Sequence, residues 1–302
     1  MTAEKTSPDW FFPKGSLASG GWESVVDPTI PGWRHTGLRV GTLRTGVPLS
    51  LAAGDVERLV VPLAGSLRVD WVDAEGTGHS QELEGRPSVF SGASDVLYLG
   101  AGTSVTLVGE GRVAVAEAPD AEPRASRYIP RSEVAVEVRG AGQTTREVHN
   151  IGTPATLDAS RFMVVEVITP SMNWSSFPPH KHDEDIAGKE AALEEIYYFE
   201  AAAATPDAPD AADAYGVMRA YSSDDRHIEV MQDVRTGDIV LAPYGYHGPT
   251  VAVPGYDLYF LNVMAGPAGG REWLLSLDEA HGWVVAGFEG QAPDPRLPFG
   301  KR

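Results

Sequence analysis

Short runs rich in Val, Leu, Ile and Tyr recur along this chain at intervals of about ten residues, with Gly or Pro between most of them. Such runs are too short for helices of several turns, and Pro and Gly interrupt any longer regular element, so the chain is confined to short strands joined by turns. Segments with a helical period are scarce, and the spacing is that of a sandwich or barrel. The clearest predicted strands are 57–62, 66–72, 95–99, 104–108 and 112–116 in the first half. In the second half they are 162–168, 194–200, 215–221, 238–242 and 256–263. The predicted fold class is all-β, in two domains. Residues 118–145 are rich in Pro, Asp, Glu, Arg and Gly, the composition of a connection over the surface, and place the boundary so that the expected domains are 1–135 and 136–302. Residues 201–214, made only of Ala, Asp, Pro and one Thr, are expected to form a long hairpin loop and no strand.

The halves also resemble each other, as duplication of one β-domain would produce. Ser94-Asp95-Val96-Leu97-Tyr98-Leu99-Gly100-Ala101-Gly102-Thr103-Ser104 aligns without gaps to Gly237-Asp238-Ile239-Val240-Leu241-Ala242-Pro243-Tyr244-Gly245-Tyr246-His247. Both are an acidic start, an apolar strand and a Gly-containing turn. The last position is Ser104 in one copy and His247 in the other.

At 302 residues and 42% hydrophobic the chain has enough apolar material for two cores. Its formal net charge of -18, with 24 Lys and Arg against 42 Asp and Glu, and the lack of any basic run argue against nucleic acid as a partner. An anionic small molecule would approach against that field, so its site needs a metal cation or an arginine. The absence of cysteine excludes disulfides, thiolate metal sites and cysteine nucleophiles, and suits a reducing cytosol. Residues 1–16 hold no apolar core of signal-peptide length and no segment approaches the length of a membrane span, so a cytoplasmic protein with no membrane partner is expected.

Five of the eight histidines lie between His149 and His247, two of them in His180-Lys181-His182. On a strand, residues two apart face the same way, so both imidazoles converge while Lys181 points off. In Leu193-Glu194-Glu195-Ile196-Tyr197-Tyr198-Phe199-Glu200 the same parity gives one face of Leu193, Glu195, Tyr197 and Phe199, read as interior. A lone carboxylate among apolar residues must be paired or bound to a cation, which favours Glu195 over Glu194 as a ligand. His180, His182, Glu195 and His247 then form a candidate metal site with positions left for water or substrate. The donors accept one divalent ion without deciding among Zn, Mn, Fe, Co and Ni, of which Zn or Mn is the expected one.

Pro178-Pro179-His180-Lys181-His182-Asp183, Leu193-Glu194-Glu195-Ile196-Tyr197-Tyr198-Phe199, Gly237-Asp238-Ile239-Val240-Leu241, Gly245-Tyr246-His247 and Tyr256-Asp257-Leu258-Tyr259-Phe260-Leu261-Asn262-Val263-Met264-Ala265-Gly266 closely resemble the 5-deoxy-glucuronate isomerase family of myo-inositol catabolism. Phe12-Pro13-Lys14-Gly15-Ser16 and Arg146-Glu147-Val148-His149-Asn150-Ile151 resemble it more weakly. The resemblance implies a bicupin, two tandem antiparallel jelly-roll-like barrels related to the 4-deoxy-L-threo-5-hexosulose-uronate ketol-isomerases, with the metal on the matching His, His, Glu and His. It implies conversion of 5-deoxy-D-glucuronate to 5-dehydro-2-deoxy-D-gluconate, and a first barrel that is structural and a seat for homo-oligomers. Two departures stand out: Gly248 separates His247 from Pro249, and the 201–214 loop is unusually long and alanine-rich.

In an aldose–ketose isomerisation the ion would act as a Lewis acid on the carbonyl and neighbouring hydroxyl and stabilise the enediolate, while a base carries a proton between adjacent carbons. Tyr197 and Asn262 are candidates for orienting hydroxyls. Arg219, alternating with Val217 and Tyr221, is the candidate partner of the substrate carboxylate. Two other classes share these features: a cupin Fe(II) dioxygenase and a non-catalytic sugar-acid-binding bicupin.

Overall fold

Two long strands dominate the first half. In the computed structural model, which describes residues 10–209, 211–223 and 226–299, Val56–Val72 and Ser104–Pro119 pair antiparallel from Val56 opposite Pro119 to Val72 opposite Ser104. The predicted strands 57–62 and 66–72 are therefore one strand, and so are 104–108 and 112–116. The glycines that looked like breaks are bends. Gly65 lies opposite Gly111 at φ +82° and +120°, and a Cβ on either would run into a carbonyl oxygen of the facing strand. A bulge between Pro62 and Ala64 bends the pair further and accommodates a proline in a central strand.

These two strands lie at the centre of an eight-stranded sheet. Ser24–Val26 and Gly37–Leu43 lie on one side, Val96–Leu99 and Arg127–Ile129 on the other, and Leu49–Leu51 and Gly78–Arg86 extend the long pair. One face closes on its own core of Leu67, Val69, Leu83, Leu97, Leu107 and Val113. The opposite face, with Leu59, Val61, Ala114 and Ala116, shares a core with the second half.

The second half has two sheets. A seven-stranded sheet runs Phe11–Phe12, Ile239–Ala242, Glu194–Ala203, Tyr256–Ala265, Met163–Thr169, Arg146–Asn150, Ala135–Arg139. The other runs Arg226–Val234, Gly216–Ser223, Tyr246–Ala252, His180–Lys181, Ser276–Leu277, with Trp174–Ser175 beside Tyr246–Ala252. All pairings are antiparallel. Phe11–Phe12 crosses from the first half to pair with Ile239 and Val240.

Two expectations need correction. The strand Glu194–Ala203 continues three residues into the alanine-rich segment, because Tyr256–Ala265 supplies a ladder out to Ala203 opposite Tyr256. Alanine's weak strand preference yields to an available partner. Asp210, within the same segment, lies outside the described residues. Second, both faces of Glu194–Ala203 are buried at its start, since Ile196 and Tyr198 pack into the core shared with the first half. No helix among the described residues is long and apolar enough to cross a membrane.

Candidate metal centre

Each candidate ligand is placed by a neighbouring strand. His180 lies directly opposite His247 on an antiparallel pair, and His182 follows two residues later. Lys181 turns the other way, where its Nζ lies 2.7 Å from Asp183 and 3.1 Å from Glu190. Glu195 comes from the facing sheet, opposite Ala242 and Met264. The structure brings His180, His182, Glu195 and His247 together with their donor atoms all within 4.8 Å of one another.

Backbone carbonyls set the imidazoles. His182 Nδ1–H donates to Leu193 O at 3.0 Å, and His247 Nδ1–H to Gly245 O at 3.2 Å, so both present Nε2 inward. His182 Nε2 is 2.9 Å and His247 Nε2 3.2 Å from Glu195 Oε2. His247 Nε2 is buried and makes no well-directed hydrogen bond. An orphaned buried imidazole nitrogen facing a carboxylate is what remains around a cation's position. Burial pushes the His180 imidazole well below the ordinary histidine range, reinforced by His247 and His182, which keeps it neutral and able to donate its lone pair. Burial would raise the Glu195 carboxyl, but His182 and His247 outweigh it and hold the carboxylate charged. Three imidazole nitrogens and one carboxylate oxygen fit a divalent first-row ion.

Gly248 lets the Tyr246–Ala252 strand approach the 174–180 segment. Its φ is +102°, and a Cβ there would run into Ser176 O. The residue that separates His247 from Pro249 is thus required by local packing. Glu194 is buried as well, but its Oε1 accepts the backbone N–H groups of His35 at 2.6 Å and Thr36 at 2.7 Å, and Oε2 accepts that of Arg34 at 3.1 Å. It anchors the first half and stays away from the cluster.

His180, Glu195, Tyr197 and Asn262 open onto one cavity of about 400 Å³. Burial, with Glu195 next, pushes the Tyr197 phenol well above its ordinary range, so it keeps its proton. Asn262 Nδ2 donates to Ile196 O at 3.2 Å. Arg219 is not brought here. Its neighbours Met218 and Ala220 fill the barrel, and the alternation of the strand turns Arg219 outward, its guanidinium 4.0 Å from the centre of the Tyr221 ring. The arginines that do line the cavity are Arg139 and Arg146. A parity count could have found Arg146, because apolar Val148, two residues on, lines the same cavity.

Residues 11–284 match the KduI/IolB family. The 5-deoxy-glucuronate isomerase of Geobacillus kaustophilus is 41% identical over 268 residues, covering 86% of this chain and 89% of that protein. The enzyme of the same name from Bacillus subtilis strain 168 is 36% identical over 76% of this chain and 80% of its own. The crystal structure of an IolB-like protein from Salmonella typhimurium LT2 superposes with a TM-score of 0.79 at 32% identity, covering 91% of this chain and 98% of that one. Oxalate decarboxylase from Lactobacillus farciminis reaches a TM-score of 0.62 at 12% identity over 92% of this chain and 90% of its own, a likeness of the all-β bicupin fold alone. A match over nearly the whole described chain, with relatives this similar along most of their own length, makes this protein a member of the KduI/IolB family.

Proposed function

We propose that this chain is an isomerase converting 5-deoxy-D-glucuronate to 5-dehydro-2-deoxy-D-gluconate in inositol catabolism, in the cytoplasm, with the second barrel as its catalytic domain. Support comes from the cluster of four donors, of which His180 and Glu195 line a sugar-sized cavity, in a chain whose close relatives are named 5-deoxy-glucuronate isomerase. The reaction breaks one C–H bond at carbon 2 of the aldehyde and forms one at carbon 1, while a proton moves from the carbon 2 hydroxyl to the carbonyl oxygen. No external oxidant or reductant enters.

His180, His182, Glu195 and His247 would hold one divalent ion, Zn or Mn first, which when bound supplies Lewis-acid stabilisation of negative charge on substrate oxygens. Tyr197 holds its phenolic proton at neutral pH and offers it as a hydrogen bond to a substrate oxygen. Asn262, tethered by Ile196 O, orients a hydroxyl beside it. Val167, Phe260 and Leu275 make part of the wall apolar and limit water around the reacting carbons.

The test is proton NMR of 5-deoxy-D-glucuronate with metal-replete protein under argon. Loss of the aldehyde form and appearance of the 5-keto acid without oxygen is expected. An unchanged spectrum with fully loaded protein would remove the isomerase assignment.

A further inference from the structure

Arg139 and Arg146 stand directly opposite each other on the hairpin formed by Ala135–Arg139 and Arg146–Asn150. Like charges in that position destabilise a strand pair. Arg139 is relieved: its Nε lies 2.7 Å from Glu137 Oε2, its Nη2 donates to Asn150 Oδ1 at 3.2 Å, and its guanidinium sits 5.7 Å from the Trp273 ring centre. Arg146 has no such relief. Its Nη1 donates to Thr144 O at 3.2 Å, and among the described residues no carboxylate lies within ion-pair distance.

Three other buried or half-buried arginines find carboxylates in this chain of 42 acidic and 24 basic residues. Arg58 is paired with Glu117, Arg86 with Glu166, and Arg112 with Glu23 and Glu200. Burial, with Arg139 beside it, lowers Arg146 to about 10, the direction of an unrelieved cation. Yet Arg146 lines the cavity that receives His180 and Glu195. Its strand is third in line from the Glu195 strand, roughly 14 Å across the sheet at a spacing of about 4.8 Å, a gap that the arginine side chain shortens. In a six-carbon sugar acid whose aldehyde reacts, the carboxylate sits at the other end of the chain.

We propose that Arg146, backed by Arg139, seats the carboxylate of the sugar acid and makes the cavity selective for acids over neutral sugars. The inference rests on a sugar acid being the substrate. An incoming carboxylate can accept two parallel N–H groups from the guanidinium and relieve the opposed charges. A local misfit retained against stability is the mark of a binding position.

The test uses Arg146→Met and Arg146→Lys in metal-loaded protein, with calorimetric titration of D-gluconate and its neutral counterpart D-glucitol. Wild type should prefer gluconate. Arg146→Met should lose roughly 10–100-fold in gluconate affinity with glucitol unchanged, and Arg146→Lys should retain part of the preference. Arg146→Met should melt no lower than wild type, since it removes a repulsion, whereas a structural arginine would leave a less stable protein. Equal gluconate affinity in wild type and Arg146→Met, equal loss of both ligands, or no wild-type preference for gluconate would overturn the proposal. Parallel turnover assays separate the two claims: a wild type that prefers gluconate but does not isomerise keeps the carboxylate seat and loses the reaction.

Discussion

Replacing Glu166 by Gln removes one charge from a network that ties the two halves together. Glu166 Oε1 accepts from Tyr259 Oη at 2.8 Å and from Arg86 Nη2, while Oε2 accepts from Arg86 Nη1 at 3.2 Å and from His149 Nδ1 at 2.9 Å. Arg86 belongs to the first-half sheet, and both its side chain and that of Glu166 are 1% exposed. Burial alone would raise the Glu166 carboxyl, but Arg86 and His149 outweigh it and hold it at about 2 against an ordinary 4.5. That depression corresponds to about 3 kcal/mol of stability at neutral pH. Removing one partner of a buried pair costs about 3–5 kcal/mol, so two routes agree. A glutamine must also turn its NH₂ toward Arg86 in either orientation, together with Tyr259 or with His149, leaving a buried donor unmatched. Because the folded pKa is depressed, the stabilisation is fully present above 4.5 and is lost as pH falls toward 2. Urea unfolding of wild type and Glu166→Gln should therefore differ by about 3–4 kcal/mol at pH 7, and by about 1 kcal/mol less at pH 3.5. A difference below about 1 kcal/mol at pH 7, or one that widens on acidification, would refute the reasoning.

Adjacent carboxylates should behave in opposite ways. Glu195→Gln should lose most bound metal by plasma mass spectrometry, while Glu194→Gln should keep a full complement and instead lose about 2 kcal/mol of stability as its backbone donors go short of an acceptor. Tyr197→Phe should retain metal and fold but turn over about 100-fold more slowly, read from kcat at saturating substrate. Gly248→Ala forces a side chain against Ser176 O at φ +102°, so a loss above about 2 kcal/mol on unfolding and weaker metal retention through a displaced His247 are expected.

Much of the fold was legible because strand patterning is local. The runs at 162–168, 238–242 and 256–263 each carry apolar content that needs no partner to be recognised, and each is a strand. Bends were misread as ends at Gly65 and Gly111, since glycine marks both and only the facing strand distinguishes them. Glu195 was legible by parity, although the premise was only half right: Ile196 and Tyr198 are buried too, against a sheet that local pattern does not reveal. Arg219 failed for a related reason. Alternation says that Val217, Arg219 and Tyr221 share a face, but the inward face belongs to Met218 and Ala220. The pairing of Arg86 with Glu166 spans 80 residues and has no local signature at all. Neither has the opposition of Arg139 to Arg146, which depends on the register of one hairpin.

The most direct test of the account couples metal to turnover in one sample. 5-Deoxy-D-glucuronate is followed by proton NMR with the protein as purified, after exhaustive chelation, after re-addition of Zn or Mn, and with His180→Ala. Conversion to the 5-keto acid that disappears on chelation, returns with the ion and is absent in a folded His180→Ala is the predicted result. Undiminished conversion by protein shown to be metal-free, or full activity in His180→Ala, would contradict it.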